Sequence, residues 1–89
     1  MALLDLLGRR WALRLVWEIR DRRLNFRDLL ELLGGNSGAL NTRIKELRKA
    51  GIVDHVDGQG YGLTSEGKKL LEGLLPLHHW AERWAKRQS

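Results

Sequence analysis

Cysteine is absent from this chain of 89 residues, and the absence excludes several kinds of chemistry. Disulfide bonds, thiolate metal sites, thiol catalysis and cysteine-based redox sensing all require that side chain. Long apolar runs are lacking too, since no stretch approaches the roughly 20 residues that a membrane-spanning helix needs. The apolar start at 2–7 is interrupted by Asp5 and has no basic leading segment, so it does not match a secretion signal. We therefore expect a soluble, cytoplasmic protein that makes no membrane contact.

The sequence also lacks the residue combinations that mark catalytic or metal sites. No nucleophile, base and orienting group form a recognisable set, and no glycine-rich phosphate loop precedes a helix with the required lysine. The adjacent His78 and His79 would point in different directions on a helix, with no carboxylate placed to complete a chelating set with both. We expect neither an enzyme nor a metal or other cofactor.

Positive charge is what the chain has in excess. Sixteen lysine and arginine residues against eleven acidic ones give a formal charge of +5 and a pI near 10.2. Such a balance is suited to a polyanionic partner. The length predicts one domain, 1–89, because two independent cores would each be too small to offset chain entropy, and it leaves no room for a separate sensor domain.

Apolar spacing and turn residues predict a mainly helical chain with one β-hairpin, an α+β fold. The second helix is expected to be well buried, with Leu13 and Trp17 among its core residues, and the third to bury Leu32. Leu24 is expected to form a strand of one or two residues. Pro76 is expected to break the chain or to begin a new helix. The predicted helices cover about 2–7, 10–20, 26–33, 37–50, 65–75 and 77–87, and the predicted strands 52–56 and 61–64.

Two of the predicted helices are joined by a tight turn. Asn25 is a good N-cap for the first of them. Gly34 and Gly35 can adopt the left-handed conformation that ends a helix, and Asn36 or Ser37 can cap the next one at once. Helix, tight turn, helix and hairpin follow in the order of a winged helix-turn-helix fold.

The helix over about 37–50 carries the residues that point to a function. Leu40, Ile44 and Leu47 recur at spacings of four and three, so the opposite face must be exposed. Between residues 36 and 51, four basic residues and one acidic residue account for +3 of the net charge. A small, polar, basic face fits a DNA major groove, although an ordinary solvated helix face has the same composition. The predicted base-edge contacts are Ser37, Gly38, Asn41, Thr42 and Lys45, and the predicted phosphate contacts are Arg43 and Lys49.

Over residues 7–84 the chain resembles the HxlR family of winged-helix transcriptional regulators, which is close to the MarR-like group. The matching segments are 8–15 (GRRWALRL), 26–33, 40–53 (LNTRIKELRKAGIV) and 63–67 (LTSEG). The resemblance implies DNA binding through the segment that begins at Asn36, with Thr42 and Arg43 at positions that commonly contact DNA. It also implies a homodimer in which the terminal helices pair. The dimer residues implied in this way are Leu3, Leu4, Leu7, Leu77, Trp80 and Trp84.

Several alternatives remain open at this point. Trp80 and Trp84 could instead fold back onto their own domain, or could bind a different protein within a transcription complex. A small-molecule effector at a dimer interface lined by these two tryptophans is also left open. The wing over 54–60 carries Asp54 and Asp57 but no lysine or arginine, so we expect it to add little DNA affinity.

Overall fold

The computed structural model describes residues 2–88, with side chains described over 4–88. Five helices and one antiparallel hairpin follow one another within this range in the predicted order, except that the segments 65–75 and 77–87, predicted as two helices, form one. In the hairpin, Val53 pairs with Leu63 and Val56 with Gly60. Leu24 adds the expected short third strand through an isolated bridge to Tyr61. The elements are α1 (Ala2–Leu7), α2 (Ala12–Glu18), α3 (Phe26–Leu33), α4 (Ser37–Lys49), β1 (Val53–Val56), β2 (Gly60–Leu63) and α5 (Ser65–Gln88).

One aliphatic core holds α2, α3, α4 and the hairpin together. Each helix contributes residues spaced by three or four positions, which is the spacing that places side chains on one side of a helix. Leu15, Leu29, Leu40 and Leu47 have no solvent exposure. The three helices are therefore fixed relative to one another by apolar packing. The core residues are Leu15, Val16, Ile19, Leu29, Leu33, Leu40, Ile44, Leu47, Ile52, Val53 and Leu63.

Side-chain caps define the helix-turn-helix as predicted. The Asn25 side-chain oxygen accepts a hydrogen bond from the Asp28 amide at 2.8 Å, and that of Asn36 accepts from the Ala39 amide at 3.0 Å. These bonds satisfy amides that the first turn of a helix leaves without partners. Between the two helices, Gly34 ends α3 in the left-handed conformation, with φ of 106°. The turn that positions α4 is therefore specified by local chemistry.

The hairpin is joined to both flanking helices by Thr64. Its hydroxyl group accepts a hydrogen bond from the Gly67 amide at 3.0 Å and so caps α5. The same oxygen lies 2.5 Å from the Gly51 carbonyl oxygen, to which it donates. Gly67 is buried, and a Cβ atom there would lie only 2.2 Å from the Ile52 carbonyl oxygen. At this glycine, α5 therefore closely approaches the backbone of the segment that leaves α4.

The second helix is shorter and more exposed than its apolar spacing predicted. It covers Ala12–Glu18 rather than 10–20, because Trp11 adopts a left-handed conformation with φ of 70° that an α-helix does not include. Leu13 is 43% exposed and Trp17 is only partly buried. In α3, Leu32 is exposed as well, which corrects its assignment to the core. These leucines lie on the edges of helices that bury only one side.

Pro76 neither breaks the chain nor begins a new helix. It lies inside α5, which continues from Ser65 to Gln88. Proline removes one hydrogen bond, the bond to the carbonyl group four residues earlier, at Glu72. Pro76 and Glu72 are both exposed, so water can reach this part of the helix. Among residues 2–88, none of the helices combines the length and the apolar character needed to cross a membrane.

Candidate nucleic-acid interface

The face of α4 opposite the core is open to solvent. Leu40, Ile44 and Leu47 are buried against the rest of the protein. At 3.6 residues per turn, this packing directs the other side of the helix outward. The exposed residues include all but one of the predicted DNA contacts, namely Ser37, Gly38, Asn41, Thr42, Lys45 and Lys49.

Three cations on α4 make no ion pair within the part of the chain that the structure describes. They are Lys45, Arg48 and Lys49, and all three are exposed. The Thr42 hydroxyl group donates to the Gly38 carbonyl oxygen at 3.0 Å, which fixes its orientation on the helix. The exposed face of α4 therefore presents free ammonium and guanidinium groups beside small polar side chains.

Arg43 lies apart from the other predicted contacts. It follows Leu40 by three residues and precedes Leu47 by four, so it is at the edge of the buried stripe. Its side chain is only 16% exposed. The guanidinium group donates to the Arg10 carbonyl oxygen at 3.1 Å and forms an ion pair with Glu46. Arg43 thus holds neighbouring parts of this chain together, and its guanidinium group is not on the open face.

A basic segment that sequence reasoning did not select lies beside α4. We call residues 8–11, between α1 and α2, the α1–α2 corner. Within it, Arg9 lies 2.9 Å from the Glu46 carboxylate and remains 54% exposed. The Arg10 guanidinium group lies over the Trp11 ring at 5.0 Å from its centroid. The adjacent Arg9 and Arg10 are visible in the sequence, but no local sequence pattern predicts that they lie next to α4.

The wing is less acidic than its sequence suggests. Asp54 forms an ion pair with Arg23 at 2.6 Å, and Arg23 also donates to the Gly60 carbonyl oxygen at 3.0 Å. The Arg23 side chain occupies the space beside Gly62, where a Cβ atom would lie 2.8 Å from its guanidinium carbon. At the tip, Asp57 is exposed. Arg23 thus compensates one wing carboxylate and fixes the hairpin to the strand residue Leu24.

Large apolar side chains are exposed on the terminal helices. We call Leu77, Trp80 and Trp84 the α5 apolar face. All three are more than half exposed, and the two tryptophan rings stack with centroids 6.2 Å apart. On α1, Leu4 is also exposed, whereas Leu7 is buried in its own chain. Of the residues predicted for the dimer, Leu3 has a side chain outside the described set.

An apolar groove separates α2 from α5 beside this face. Its volume is about 210 Å³, and its lining includes Leu13, Trp17, Leu77 and His78. The His78 ring contacts Trp17, with centroids 4.6 Å apart. On the other side, one Glu82 oxygen lies 3.3 Å from His78 and 3.5 Å from His79. A Glu82 oxygen therefore lies near both histidines, but within the described residues no three such side chains are grouped so that they could hold a metal ion.

Comparisons with known proteins agree with this fold. Residues 6–89 match the model of the HxlR-like helix-turn-helix family. A crystal structure of a possible HxlR family transcriptional factor from Thermoplasma volcanium GSS1 superimposes with a TM-score of 0.84 at 28% identity, covering 97% of this chain and 84% of that one. Quinone-bound YodB from B. subtilis gives a TM-score of 0.83 at 26% identity, covering 92% of each chain. Among curated protein sequences, none matches.

Proposed function

Because the chain belongs to the HxlR-like helix-turn-helix family, we propose that it is a cytoplasmic transcriptional regulator that binds double-stranded DNA sequence-specifically as a homodimer. The proposed unit is one domain, 1–89, with no catalytic activity of its own. The family and the two structural neighbours support the general role of a DNA-binding regulator. Sequence-specific binding and the homodimer go beyond this general role and are supported by the observations below.

The observation that carries the proposal is the open face of α4. A major groove about 12 Å wide accepts one α-helix, provided that the inserted face is small and carries no net negative charge. Asn41, Thr42 and Lys45 meet this requirement and can donate or accept hydrogen bonds at base edges. Lys49, one turn further along, is placed to approach a phosphate group. The core residues behind the helix hold this face rigid.

The homodimer is supported by the α5 apolar face. Soluble proteins rarely leave two stacked tryptophans and a leucine half exposed, and such aromatic groups are enriched at interfaces. We propose that Leu77, Trp80 and Trp84, with Leu4 of α1, are covered by a second copy. Two copies related by a twofold axis would present two α4 helices to half-sites about one helical turn apart.

In vitro selection of DNA sequences from a random duplex library is the direct test. A pseudo-palindromic consensus would support specificity and the dimer together. The selected duplex is then titrated with the wild type and with Asn41→Ala plus Lys45→Ala. Because a good base contact contributes about 1–3 kcal/mol, the variant should bind about 10-fold more weakly or worse. Lys69→Ala, which removes an exposed lysine from α5, is the control and should bind like the wild type. Equal affinity of all three proteins at moderate salt would reject the assigned surface.

The same apolar face supports a second candidate, a protein-interaction module within a transcription complex. In that case the α5 apolar face would bind a different protein, and α4 would not bind DNA. A stable 1:1 complex with a heterologous protein, combined with no salt-sensitive DNA binding, would favour this candidate. A symmetric selected DNA site would exclude it as the main function.

A small-molecule effector near Trp80 and Trp84 stays a prediction. YodB is described with a bound quinone, which shows only that this structural neighbour binds one. This chain has no cysteine, so any effector here would bind without a thiol adduct. Quenching of tryptophan fluorescence across a panel of metabolites would reveal such binding, and a uniform lack of quenching would count against it.

A further inference from the structure

The α1–α2 corner lies along one flank of α4. Two contacts fix it there, Arg9 with Glu46 and Arg43 with the Arg10 carbonyl oxygen. Within α4, the ion pair between Arg43 and Glu46 holds these two partners together. At the other end of the corner, the Trp11 ring lies beside the turn before α4, 3.8 Å from where a Cβ atom of Gly34 would be. The corner therefore follows α4 from its C-terminal half back to the turn that precedes it.

The position of this flank follows from the turn of the helix. Successive residues are separated by about 100°, so Glu46 lies about 60° around α4 from Lys49, at the edge of the open face. Arg48 lies about 60° from Lys45 in the opposite direction. The open face is thus bordered by Arg48 on one side and by Glu46, with Arg9 attached, on the other. Both borders carry a cation, but only Arg48 belongs to α4 itself. Arg9, on the other border, belongs to the α1–α2 corner.

The positive charge beside α4 is not cancelled by Glu46. Arg9 and Arg43 both pair with the Glu46 carboxylate, and Arg10 follows Arg9 in the chain, so these four residues carry a net charge of +2. Arg43 already pairs with the carboxylate and is largely buried, while Arg9 remains half exposed. Arg10 is exposed and makes no ion pair within residues 2–88. Two guanidinium groups are consequently accessible to an anion beside the open face.

We infer that the α1–α2 corner is a second DNA contact surface, in which Arg9 and Arg10 bind phosphate groups of the strand that borders α4. This inference rests on the proposed insertion of α4 into a major groove. A helix with side chains is about 10–12 Å across and fills the groove, so the two phosphate backbones run along its flanks. Arg48 faces one backbone and the corner faces the other. Glu46 and Arg43 are positioning residues that hold the corner against α4.

The salt dependence of DNA binding tests this inference. A duplex of about 30 base pairs and mixed sequence, three helical turns long, is titrated over a series of salt concentrations. The slope of log K against log salt is negative, and each lost phosphate contact reduces its magnitude by about 0.9. We expect Arg10→Gln to reduce the magnitude of the slope by about 0.9 and Arg9→Gln with Arg10→Gln by up to about 1.8. Base preference in the selected consensus should not change, because phosphate contacts carry no sequence information.

Two further variants control this experiment. Arg22→Gln removes the same charge beyond the other end of α2, where the exposed Arg22 donates a hydrogen bond to the Glu18 carbonyl oxygen, and it should keep the wild-type slope. Arg10→Lys keeps the charge and should restore most of the slope lost in Arg10→Gln. Circular dichroism verifies that each variant is folded.

The outcomes separate this inference from the proposed function. If wild-type protein binds DNA, Asn41→Ala plus Lys45→Ala weakens binding, and the corner variants match Arg22→Gln in slope, then the corner makes no phosphate contact and the inference is wrong. If the wild type binds no duplex at any salt concentration, both the proposed function and the inference fail. A lower slope in Arg10→Gln that Arg10→Lys does not restore would also overturn the phosphate assignment.

Discussion

Gly67 lies where the first turn of α5 crosses the segment that leaves α4, and its replacement by alanine probes this packing directly. The Cβ atom of an alanine would lie 2.2 Å from the Ile52 carbonyl oxygen, whereas real Cβ atoms essentially never come closer than 3.0 Å. The obstacle is backbone, which cannot rotate away as a side chain can. The same carbonyl oxygen accepts hydrogen bonds from the Thr64 amide and hydroxyl groups. Alanine must therefore push α5 away from the hairpin or distort this connection.

The expected loss of stability follows from these distances. Overpacking of a close contact costs about 1–3 kcal/mol. Weakening of the Thr64 hydrogen bonds adds about 0.5–1.5 kcal/mol. The better helix propensity of alanine offsets about 0.5–1 kcal/mol. We therefore expect Gly67→Ala to lower the free energy of unfolding by about 0.5–4 kcal/mol, which for a chain of this size lowers Tm by about 4–8 °C for each kcal/mol.

Gly73 supplies a matched control in the same helix. Apart from its chain neighbours and the backbone of its own helix, a Cβ atom at Gly73 would meet no heavy atom of the described residues within 4 Å. Gly73→Ala should therefore raise the free energy of unfolding by about 0.5–1 kcal/mol through helix propensity alone. Urea unfolding of both variants and the wild type, followed by circular dichroism at one protein concentration, measures the difference. The reasoning is refuted if Gly67→Ala unfolds at the same urea concentration as Gly73→Ala or at a higher one.

Three further changes test other parts of the structure. Asn36→Ala removes the cap of α4 and should lower the free energy of unfolding by about 1 kcal/mol in urea titrations; an unchanged midpoint would contradict the cap. Arg23→Gln breaks the partly exposed pair with Asp54, so amide hydrogen exchange in β2 should become faster, and unchanged rates would show that the wing does not depend on Arg23. Trp80→Ala with Trp84→Ala should convert the proposed dimer into a monomer in sedimentation equilibrium, whereas a dimer of unchanged affinity would place the interface elsewhere.

The sequence alone determined those features that depend on neighbouring residues. Asn25 and Asn36 cap helices because an Asn side chain reaches the amide three residues ahead, and Gly34 ends α3 because glycine tolerates positive φ. The spacing of Leu40, Ile44 and Leu47 fixed which side of α4 is buried, and hence which side is open. The helix-turn-helix, the hairpin and the open cationic face could all be predicted for this reason.

Only the tertiary structure decided features that join distant parts of the chain. Arg43 was predicted to contact a phosphate group, but only the folded chain brings its guanidinium group to the Arg10 carbonyl oxygen, 33 residues away, to which it donates. The corner carrying Arg9 lies beside α4 because α1 and α2 pack around the core, and no local pattern encodes that approach. Pro76 also depended on context, since Glu72, whose carbonyl group loses its helical hydrogen bond, lies at an exposed position that water can reach. Short stretches of sequence determine local geometry, such as helix caps and turns. The pairing of distant charges depends on how the helices pack, and that packing is a property of the whole chain.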